Sequence, residues 1–228
     1  QPDKSFMADG VQIDVQGTSS QYYPRKNYKT KFKNGLILTE SEEHLDGYKL
    51  RADSIAVNAF CQKADFAESS GTHNTGMAKI IDRLLKGMGF LTPPQKNDKR
   101  VRTTVDGFPI CIFHKETPDS PPEFVGKYNF NNDKSTQDTF GFTGVNECWE
   151  FCNNTSDRVL FLSSDYTSLD AEGNPDWLND FEARYPDGFT DYTNLKVLTD
   201  WIVSTKNNPE KFRKECTAHF DRDSLLAY

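Results

Sequence analysis

The chain has 228 residues, a formal net charge of −7 and a hydrophobic fraction of 36%. Many of its hydrophobic residues are aromatic. This length suits one large domain or two small lobes, and 17 Phe residues can build a core, which argues against an intrinsically disordered chain. The acidic balance argues against a general nucleic-acid binder, because neutralising phosphates requires clustered Lys and Arg. No signal peptide and no apolar run of about 18 residues is visible, so we expect no membrane-spanning segment.

The cysteine and histidine content predicts neither a disulfide framework nor a metal site. The odd number of cysteines in a chain of this size favours free thiols at Cys61, Cys111, Cys148, Cys152 and Cys216. Cys148 and Cys152 are close in sequence, but no second Cys or His pair completes a zinc site. The four histidines are scattered, without metal-ligand spacing.

Alternating apolar and polar residues predict a strand-rich first part, residues 1–135. Strands with this pattern are predicted at residues 11–15, 28–32, 36–38 and 124–130. A hairpin is predicted from Val101 to Ile112, with its turn at Asp106-Gly107 and either an edge position or a bulge at Pro109. Residues 60–73 mix aromatic residues with Ser and Gly and are expected to be irregular, residues 117–122 are predicted to be a Pro-rich linker, and residues 131–146 an exposed loop.

Apolar residues three and four apart predict one amphipathic helix in this first part, from about Asn74 to Met88. The apolar residues Ile80, Ile81, Leu84 and Leu85 of this helix are expected to pack against residues 101–113. Truncating one of them, such as Leu84→Ala, is then expected to cost about 2–5 kcal/mol.

The second part, residues 136–228, is predicted to be a linker followed by helices, incomplete at its C-terminus. Residues 147–162 are strand-like, and the helical texture begins at about residue 175. One helix is predicted around Leu195 to Ile202, and Asn208-Pro209 supplies the N-cap and first residue of the next. Asp221 is expected to cap a last helix. The segregation of strands and helices predicts an α+β fold with two lobes.

A turn of small residues, Gly17-Thr18-Ser19-Ser20, precedes a basic strand that begins near Lys26. Amides, hydroxyls and an ammonium group in this arrangement can contact a phosphate chain, although the turn is not a Walker A loop. The alternative is an ordinary hairpin whose lysines are solvated.

An ordered series of segments resembles the CotH family of atypical kinases. The segments are Gly17-Thr18-Ser19-Ser20 with Pro24-Arg25-Lys26 and Tyr28, then Lys63-Ala64-Asp65-Phe66 with Asn74, Val101 to Glu116, Gly126-Lys127-Tyr128, and Phe212 to Tyr228. The style of the sequence is most similar to versions in bacteriophage structural proteins. Gln16 departs from the family pattern, and the catalytic and metal-binding motifs of the family are expected beyond Tyr228.

The resemblance implies a two-lobed kinase-like fold that binds ATP and Mg²⁺. It implies that Lys26 contacts phosphate, that Ser19 and Ser20 lend hydroxyls or amides, and that Glu116 orients the lysine. It further implies that Tyr128 stacks on adenine and that Lys127 is a second phosphate contact. No catalytic residue and no metal ligand is assigned in residues 1–228.

The function implied by this resemblance is a nucleotide-binding, kinase-like module of a phage virion or related assembly. Phosphoryl transfer is expected only when the missing C-terminal half is present. Its expected partners are other virion proteins and a protein phosphoacceptor, and its expected location is the virion or the host cytoplasm. The alternative is a non-enzymatic structural or adhesion module that retains the fold; a carbohydrate-binding module would need exposed coplanar aromatic residues.

Overall fold

The computed structural model describes residues 5–17, 19–68, 70–71, 73–134, 136–143, 145–151, 171–173, 181–222 and 224. The chain forms two compact units, Gln1–Gly141 and Phe142–Tyr228. Antiparallel sheets and helices occur together in the described residues, which confirms the α+β class. None of the helices among these described ranges is both long and apolar enough to cross a membrane.

The first unit contains eight strands and three helices in its described part. Its strands are β1 (Phe6–Met7), β2 (Val11–Gln16), β3 (Asn27–Phe32), β4 (Leu36–Leu38), β5 (His44–Leu45), β6 (Ala59–Lys63), β7 (Gly107–His114) and β8 (Glu123–Asn132). Its helices are α1 (His73–Gly87), α2 (Pro93–Asn97) and α3 (Gln137–Phe140). The strands predicted at residues 11–15, 28–32, 36–38 and 124–130 are therefore confirmed as β2, β3, β4 and β8.

The main sheet of the first unit has five antiparallel strands in the order β2-β3-β6-β8-β7. Residues paired directly across neighbouring strands point to the same face, so Thr30 of β3 and Phe60 of β6 lie on one side of the sheet. This side carries the core, in which Phe60 is fully buried and stacks on Phe130 at 4.5 Å between ring centroids. The small sheet β1-β4-β5 and the segment from Tyr48 to Val57 supply the residues that pack against it.

Two strand predictions were wrong. Residues 60–73 were expected to be irregular, which holds for the described residues 64–68 and 70–71, but residues 60–63 belong to β6, the central strand of the sheet, whose first four residues are buried. A strand covered on both faces lacks the polar alternation on which the prediction relied. The expected turn at Asp106-Gly107 is also wrong, because Gly107 begins β7, and the hairpin closes through residues 115–122 instead. The predicted edge position of Pro109 is confirmed.

The segment 131–146 is not an exposed loop throughout. Asn131 and Asn132 complete β8, and Asp133 and Thr139 are buried. The Asn132 side chain accepts a hydrogen bond of 2.7 Å from the backbone N–H of Asp106, and the Thr139 carbonyl accepts one of 2.7 Å from Arg102 N–H. Hydrogen bonds compensate only in part for burying these polar residues, because Thr139 Oγ1 and Asn132 Nδ2 have no partner among the described residues.

Helix α1 exists as predicted, but a different face of it is buried. The buried residues are Thr75, Ala78 and Asp82, whereas Ile80 and Leu84 are more than half exposed. Asp82 is tolerated inside because Lys86 pairs with it at 3.0 Å and Arg51 lies 3.8 Å away. The expected cost of about 2–5 kcal/mol for Leu84→Ala is therefore too large, since exposed sites usually change stability by within about 0.5 kcal/mol.

The second unit contains β9 (Cys148–Phe151), β10 (Phe181–Tyr185), α4 (Thr193–Thr205) and α5 (Pro209–His219). Strand β10 pairs antiparallel with β9, so the expectation of helical structure from residue 175 is wrong at this strand. The two helices are confirmed, including the cap, since the Asn208 side chain accepts a hydrogen bond of 3.0 Å from Lys211 N–H.

The remaining expectations for the second unit concern its end and the thiols. The Asp221 carboxylate accepts a hydrogen bond of 2.7 Å from Ser224 N–H, as a helix cap would, but residues 225–228 lie outside the described ranges. Cys61, Cys111, Cys148 and Cys216 are free thiols. Cys152 and most of the strand-like range 147–162 also lie outside the described residues.

Candidate functional site

A small cleft lies in the first unit where three strands of the main sheet come together. The end of β6, the segment just before β3, the middle of β8 and the segment before α1 enclose about 130 Å³. The lining residues are Arg25, Lys63, Ala64, Asp65, Glu68, Ser70, Gly71, Lys127, Tyr128 and Asn129. Three cationic and two acidic side chains meet there, which is an unusual density of charge for so small a space.

Each of the three cations is held by a contact with a neighbouring segment. Arg25 Nη2 donates a hydrogen bond of 2.6 Å to the carbonyl of Ala64, and Lys63 Nζ donates one of 2.5 Å to Gln16 Oε1. Lys127 Nζ donates one of 3.3 Å to the carbonyl of Ser70. These contacts are to neutral oxygens, so the positive charges are positioned without being neutralised by them.

Arg25 carries a further feature that bears on ligand binding. Its Nε–H is enclosed and has no acceptor among the residues that the structure describes. A buried donor without a partner is costly, and such groups occur where a ligand or ion completes the hydrogen bonding. The guanidinium carbon lies 5.7 Å from the centroid of the Tyr128 ring, within cation–π distance.

The two carboxylates, Asp65 and Glu68, lie on the segment between β6 and α1, and neighbouring groups hold each of them. Asp65 accepts a hydrogen bond from the amide of Asn129, whose Nδ2 also donates to the carbonyl of Gly71 at 2.6 Å. Asp65 has a φ of 45°, in the left-handed region that few residues other than glycine adopt. A strained backbone at a charged cleft is typical of a functional position.

Glu68 is held by the turn that leads into α1. Its Oε2 accepts hydrogen bonds from the Ser70 hydroxyl at 2.7 Å and from the Ser70 N–H at 3.1 Å. These bonds, the hydroxyl first, hold the pKa of the Glu68 carboxyl below its usual value. The carboxylate is therefore ionised at neutral pH.

The electrostatic balance of the cleft is positive. Three cationic side chains face two carboxylates. Helix α1 begins two residues after Gly71, so the positive end of its dipole adds to this potential. The arrangement suits an anion that carries more than one negative charge.

The residues predicted from the first turn lie beside the cleft and do not line it. Ser19 and Ser20 form a short 3₁₀ helix (Ser19–Tyr22), and the Ser20 hydroxyl accepts a hydrogen bond of 3.3 Å from Asn27 Nδ2. Asn27 Oδ1 in turn accepts one of 2.7 Å from the N–H of Ala64, a lining residue. A Cβ at Gly17 would lie 2.0 Å from Ser20 Oγ, so the turn needs glycine there.

Lys26 and Glu116, which were predicted to interact, are not joined in the structure. Lys26 Nζ donates to the carbonyl of Gln21 within its own turn. Glu116 is exposed just after β7, and no ion pair links these two described residues. The expected role of Glu116 in orienting Lys26 therefore has no contact behind it.

Lys127 and Tyr128 do line the cleft, as predicted for ligand contacts. Tyr128 is only 2% exposed, and burial raises the pKa of its hydroxyl. Its ring lies 6.1 Å from the ring of Tyr28 and beneath the Arg25 guanidinium. An adenine ring could stack on Tyr128 only if Arg25 moved away.

The sequence patterns assigned no role to eight of the ten lining residues, of which those with a charged or amide side chain are Arg25, Lys63, Asp65, Glu68 and Asn129. Arg25, Lys63 and Asp65 stood in segments quoted for the family resemblance, but none was assigned a role. Only the pairing of β3, β6 and β8 reveals that these distant segments meet.

The metal-binding capacity of the cleft is limited to its two carboxylates. Across the described ranges, no group of three or more His, Cys, Asp or Glu side chains is placed to hold a metal ion. Asp65 and Glu68 nevertheless offer the oxygen donors that Mg²⁺ prefers, and Mg²⁺ is commonly bound by one or two carboxylates together with substrate phosphates. The cleft therefore fits Mg²⁺ only as part of a phosphate complex.

Comparison with known proteins identifies no relative. No protein-family model matches the chain, and no curated protein or solved structure matches it significantly. The functional argument therefore depends on the chemistry of the cleft.

Proposed function

We propose that the chain is a nucleotide-binding, kinase-like module that holds the phosphate groups of Mg-ATP in this cleft. The observation that carries the proposal is the convergence of Arg25, Lys63 and Lys127 on one small space. Hydrogen bonds between cations and phosphate oxygens contribute about 1.5–3 kcal/mol each. Three of them would give useful affinity for a triphosphate even in a partly open site.

The order of elements supports a kinase-like arrangement. In protein kinases, a glycine-containing loop joins the first strands of the sheet, and the phosphate-contacting lysine lies on the third strand. Here the Gly17 turn joins the first two strands of the main sheet, and Lys63 ends the third, with α1 following. The proposal therefore moves the principal phosphate contact from Lys26 to Lys63.

The kinase comparison also has a departure. The lysine of protein kinases pairs with a Glu on the helix that follows it. Helix α1 contains no Glu. The carboxylate of the cleft that is closest to α1 in sequence is Glu68, which precedes the helix. Lys63 donates instead to the Gln16 side chain, which leaves its charge available to a ligand.

Asp65 and Glu68 would hold the Mg²⁺ that accompanies the nucleotide. Bound Mg²⁺ would bridge phosphate oxygens and neutralise part of their charge. The role of this chain would be to position the phosphates: Arg25 and Lys127 would both contact them, and the α1 dipole would favour their charge.

The size of the cleft defines which part of the nucleotide it would hold. Its volume of about 130 Å³ is well below the roughly 300–1,000 Å³ of pockets that enclose drug-sized ligands. The cleft would therefore hold phosphate groups, whereas the base would lie outside it. Adenine stacking on Tyr128 is not required by this proposal.

The biological context of this proposal comes from the family resemblance alone. It assigns the module to a phage virion or related assembly, with other virion proteins and a protein phosphoacceptor as partners. It assigns no catalytic residue within residues 1–228, so we expect no phosphoryl transfer by this chain alone.

Calorimetry on the chain with four ligands tests the proposal: Mg-ATP, Mg-ADP, Mg-tripolyphosphate and adenosine. We expect weak binding of ATP and tripolyphosphate with similar affinity, and none of adenosine. Lys63→Gln should weaken binding about tenfold, because it removes about 1.4 kcal/mol or more of charge-assisted bonding. Lys31→Gln, on an exposed lysine of β3, is the matched control and should bind like the unaltered chain.

Three results would contradict the proposal. Absence of binding to every phosphate ligand by a folded chain would favour the structural or adhesion module. Weaker phosphate binding caused by Lys26→Gln but not by Lys63→Gln would mean that the phosphate site lies at the Gly17 turn. Adenosine binding as tight as that of ATP would mean that the cleft recognises the base.

A further inference from the structure

Helix α1 carries a continuous apolar stripe that faces away from the core of the first unit. Met77 is 51% exposed, Ile80 52%, Leu84 59% and Met88, just beyond the helix, 75%. At about 100° per residue these four side chains fall within an arc of about 80°. Large apolar side chains in one row on a soluble unit mark an interaction surface more often than a lone exposed Leu does.

The stripe is distinct from the part of the helix that packs against the unit. Thr75, Ala78 and Asp82 are buried on the opposite side, and Thr75 Oγ1 donates a hydrogen bond of 3.3 Å to Asn129 Oδ1. Ile81 and Leu85 are half-buried, so the helix is attached through these three residues and in part through two apolar ones. The apolar stripe from Met77 to Met88 is left exposed for contact with another molecule.

The charges beside the stripe are all positive. Lys79 and Arg83 lie on one side of it, and neither forms an ion pair with any described residue. The acidic residue of α1, Asp82, is buried and already paired with Lys86 and Arg51. A chain with a net charge of −7 thus presents a local basic edge next to an apolar row.

We propose that this surface binds an acidic amphipathic helix of a partner protein. The four apolar side chains span about 16 Å along the axis, which matches about three turns of a second helix. Such a helix would place its apolar row on Met77 to Met88 and its carboxylates against Lys79 and Arg83, the helix-on-helix mode with anchors three and four residues apart. The two methionines suit an adaptable contact, because their side chains are flexible and polarisable.

A second copy of the chain fits this surface less well. Two α1 helices packed on each other around a twofold axis would bring the same basic residues together. Like charges placed opposite each other oppose association, so the surface selects a partner of the opposite sign.

The test uses fluorescein-labelled 18-residue peptides with Leu at positions i, i+3, i+4 and i+7. One peptide carries Glu at its remaining charged positions, and the matched peptide carries Lys. Fluorescence anisotropy should show saturable binding of the Glu peptide and at least tenfold weaker binding of the Lys peptide. Leu84→Asp should reduce binding of the Glu peptide about tenfold or more, while Ile13→Asp, at an equally exposed site on β2, should leave it unchanged.

Circular dichroism and sedimentation velocity accompany each variant. Equal binding of both peptides, no binding, or full binding by a folded Leu84→Asp chain would overturn the proposal. Dimerisation of the chain that Leu84→Asp abolishes would replace it with a contact between copies. Strong destabilisation by Leu84→Asp without peptide binding would mean that the stripe is covered within the chain itself. Each outcome is separable from the nucleotide proposal, since no residue of the stripe lines the cleft.

Discussion

The two faces of the five-stranded sheet are built from the same strands but have opposite chemistry. On one face, Phe32 and Phe130 lie 5.5 and 4.5 Å from Phe60 between ring centroids. On the other, Cys61 Sγ donates to Asp133 at 3.1 Å, and Lys29 pairs with the same carboxylate at 3.4 Å. One step along β6, from Phe60 to Cys61, passes from the core to a polar network.

The difference shows how the unit separates stability from ligand binding. Successive residues of a strand point to opposite faces, so one strand can serve both roles. The aromatic face excludes water and supplies most of the hydrophobic free energy. The polar face and its end near Lys63 and Lys127 hold charges in fixed positions, which is what the proposed phosphate site needs.

The largest expected effect comes from breaking the aromatic face. Phe60→Ala removes a fully buried ring that contacts Phe32, Tyr48 and Phe130, and should lower the free energy of unfolding by about 3–5 kcal/mol. Urea denaturation measures the change. Phe113→Ala is the control, because that ring is 57% exposed and its removal should cost far less. Similar losses at both positions would contradict this assignment of the core.

A smaller effect is expected on the polar face. Asp133→Asn keeps the shape of the side chain but removes the charge that pairs with Lys29 and accepts from Cys61. The loss of these buried contacts should lower the free energy of unfolding by about 1–3 kcal/mol. Asp14→Asn, at an exposed position of β2, is the matched control and should change it by less than about 0.5 kcal/mol. An unchanged Asp133→Asn chain would mean that the network does not contribute to stability.

A third effect concerns the Cys61 thiol and is absent at neutral pH, appearing only at alkaline pH. Burial, and then the nearby Asp133 carboxylate, raise the pKa of Cys61 from 9.0 to about 12. The folded state therefore keeps the proton while the unfolded chain loses it above about pH 9. The stability contributed by this thiol is complete below pH 9 and is lost progressively as the pH rises towards 12. Cys61→Ala should flatten the decline of the unfolding midpoint between pH 9 and 11.

Alkylation checks the same assignment at neutral pH. Iodoacetamide should label the exposed Cys111 in the folded chain and Cys61 only after denaturation, when all five cysteines should react. Rapid labelling of Cys61 in the folded chain would show that the polar face is open to solvent. A disulfide found between Cys148 and Cys152 would contradict the prediction of free thiols.

The sequence by itself determined the elements that have a local signature. Alternation predicted β2, β3 and β8, spacing of three and four predicted α1 and α4, and the Asn208-Pro209 pair predicted the start of α5. These signals are local because they arise from side-chain direction and from capping, which involve residues within about one turn of each other.

Only the tertiary structure decided which surfaces meet. Strand β6 carries no alternation because it is buried on both faces, and α1 buries Asp82 instead of Leu84 because Lys86 and Arg51 are placed to pair with it. The cleft brings together Arg25, Lys63 and Lys127, which lie up to about 100 residues apart. No periodicity encodes such contacts, since they depend on the pairing of β3, β6 and β8 and on partners that stabilise a buried charge.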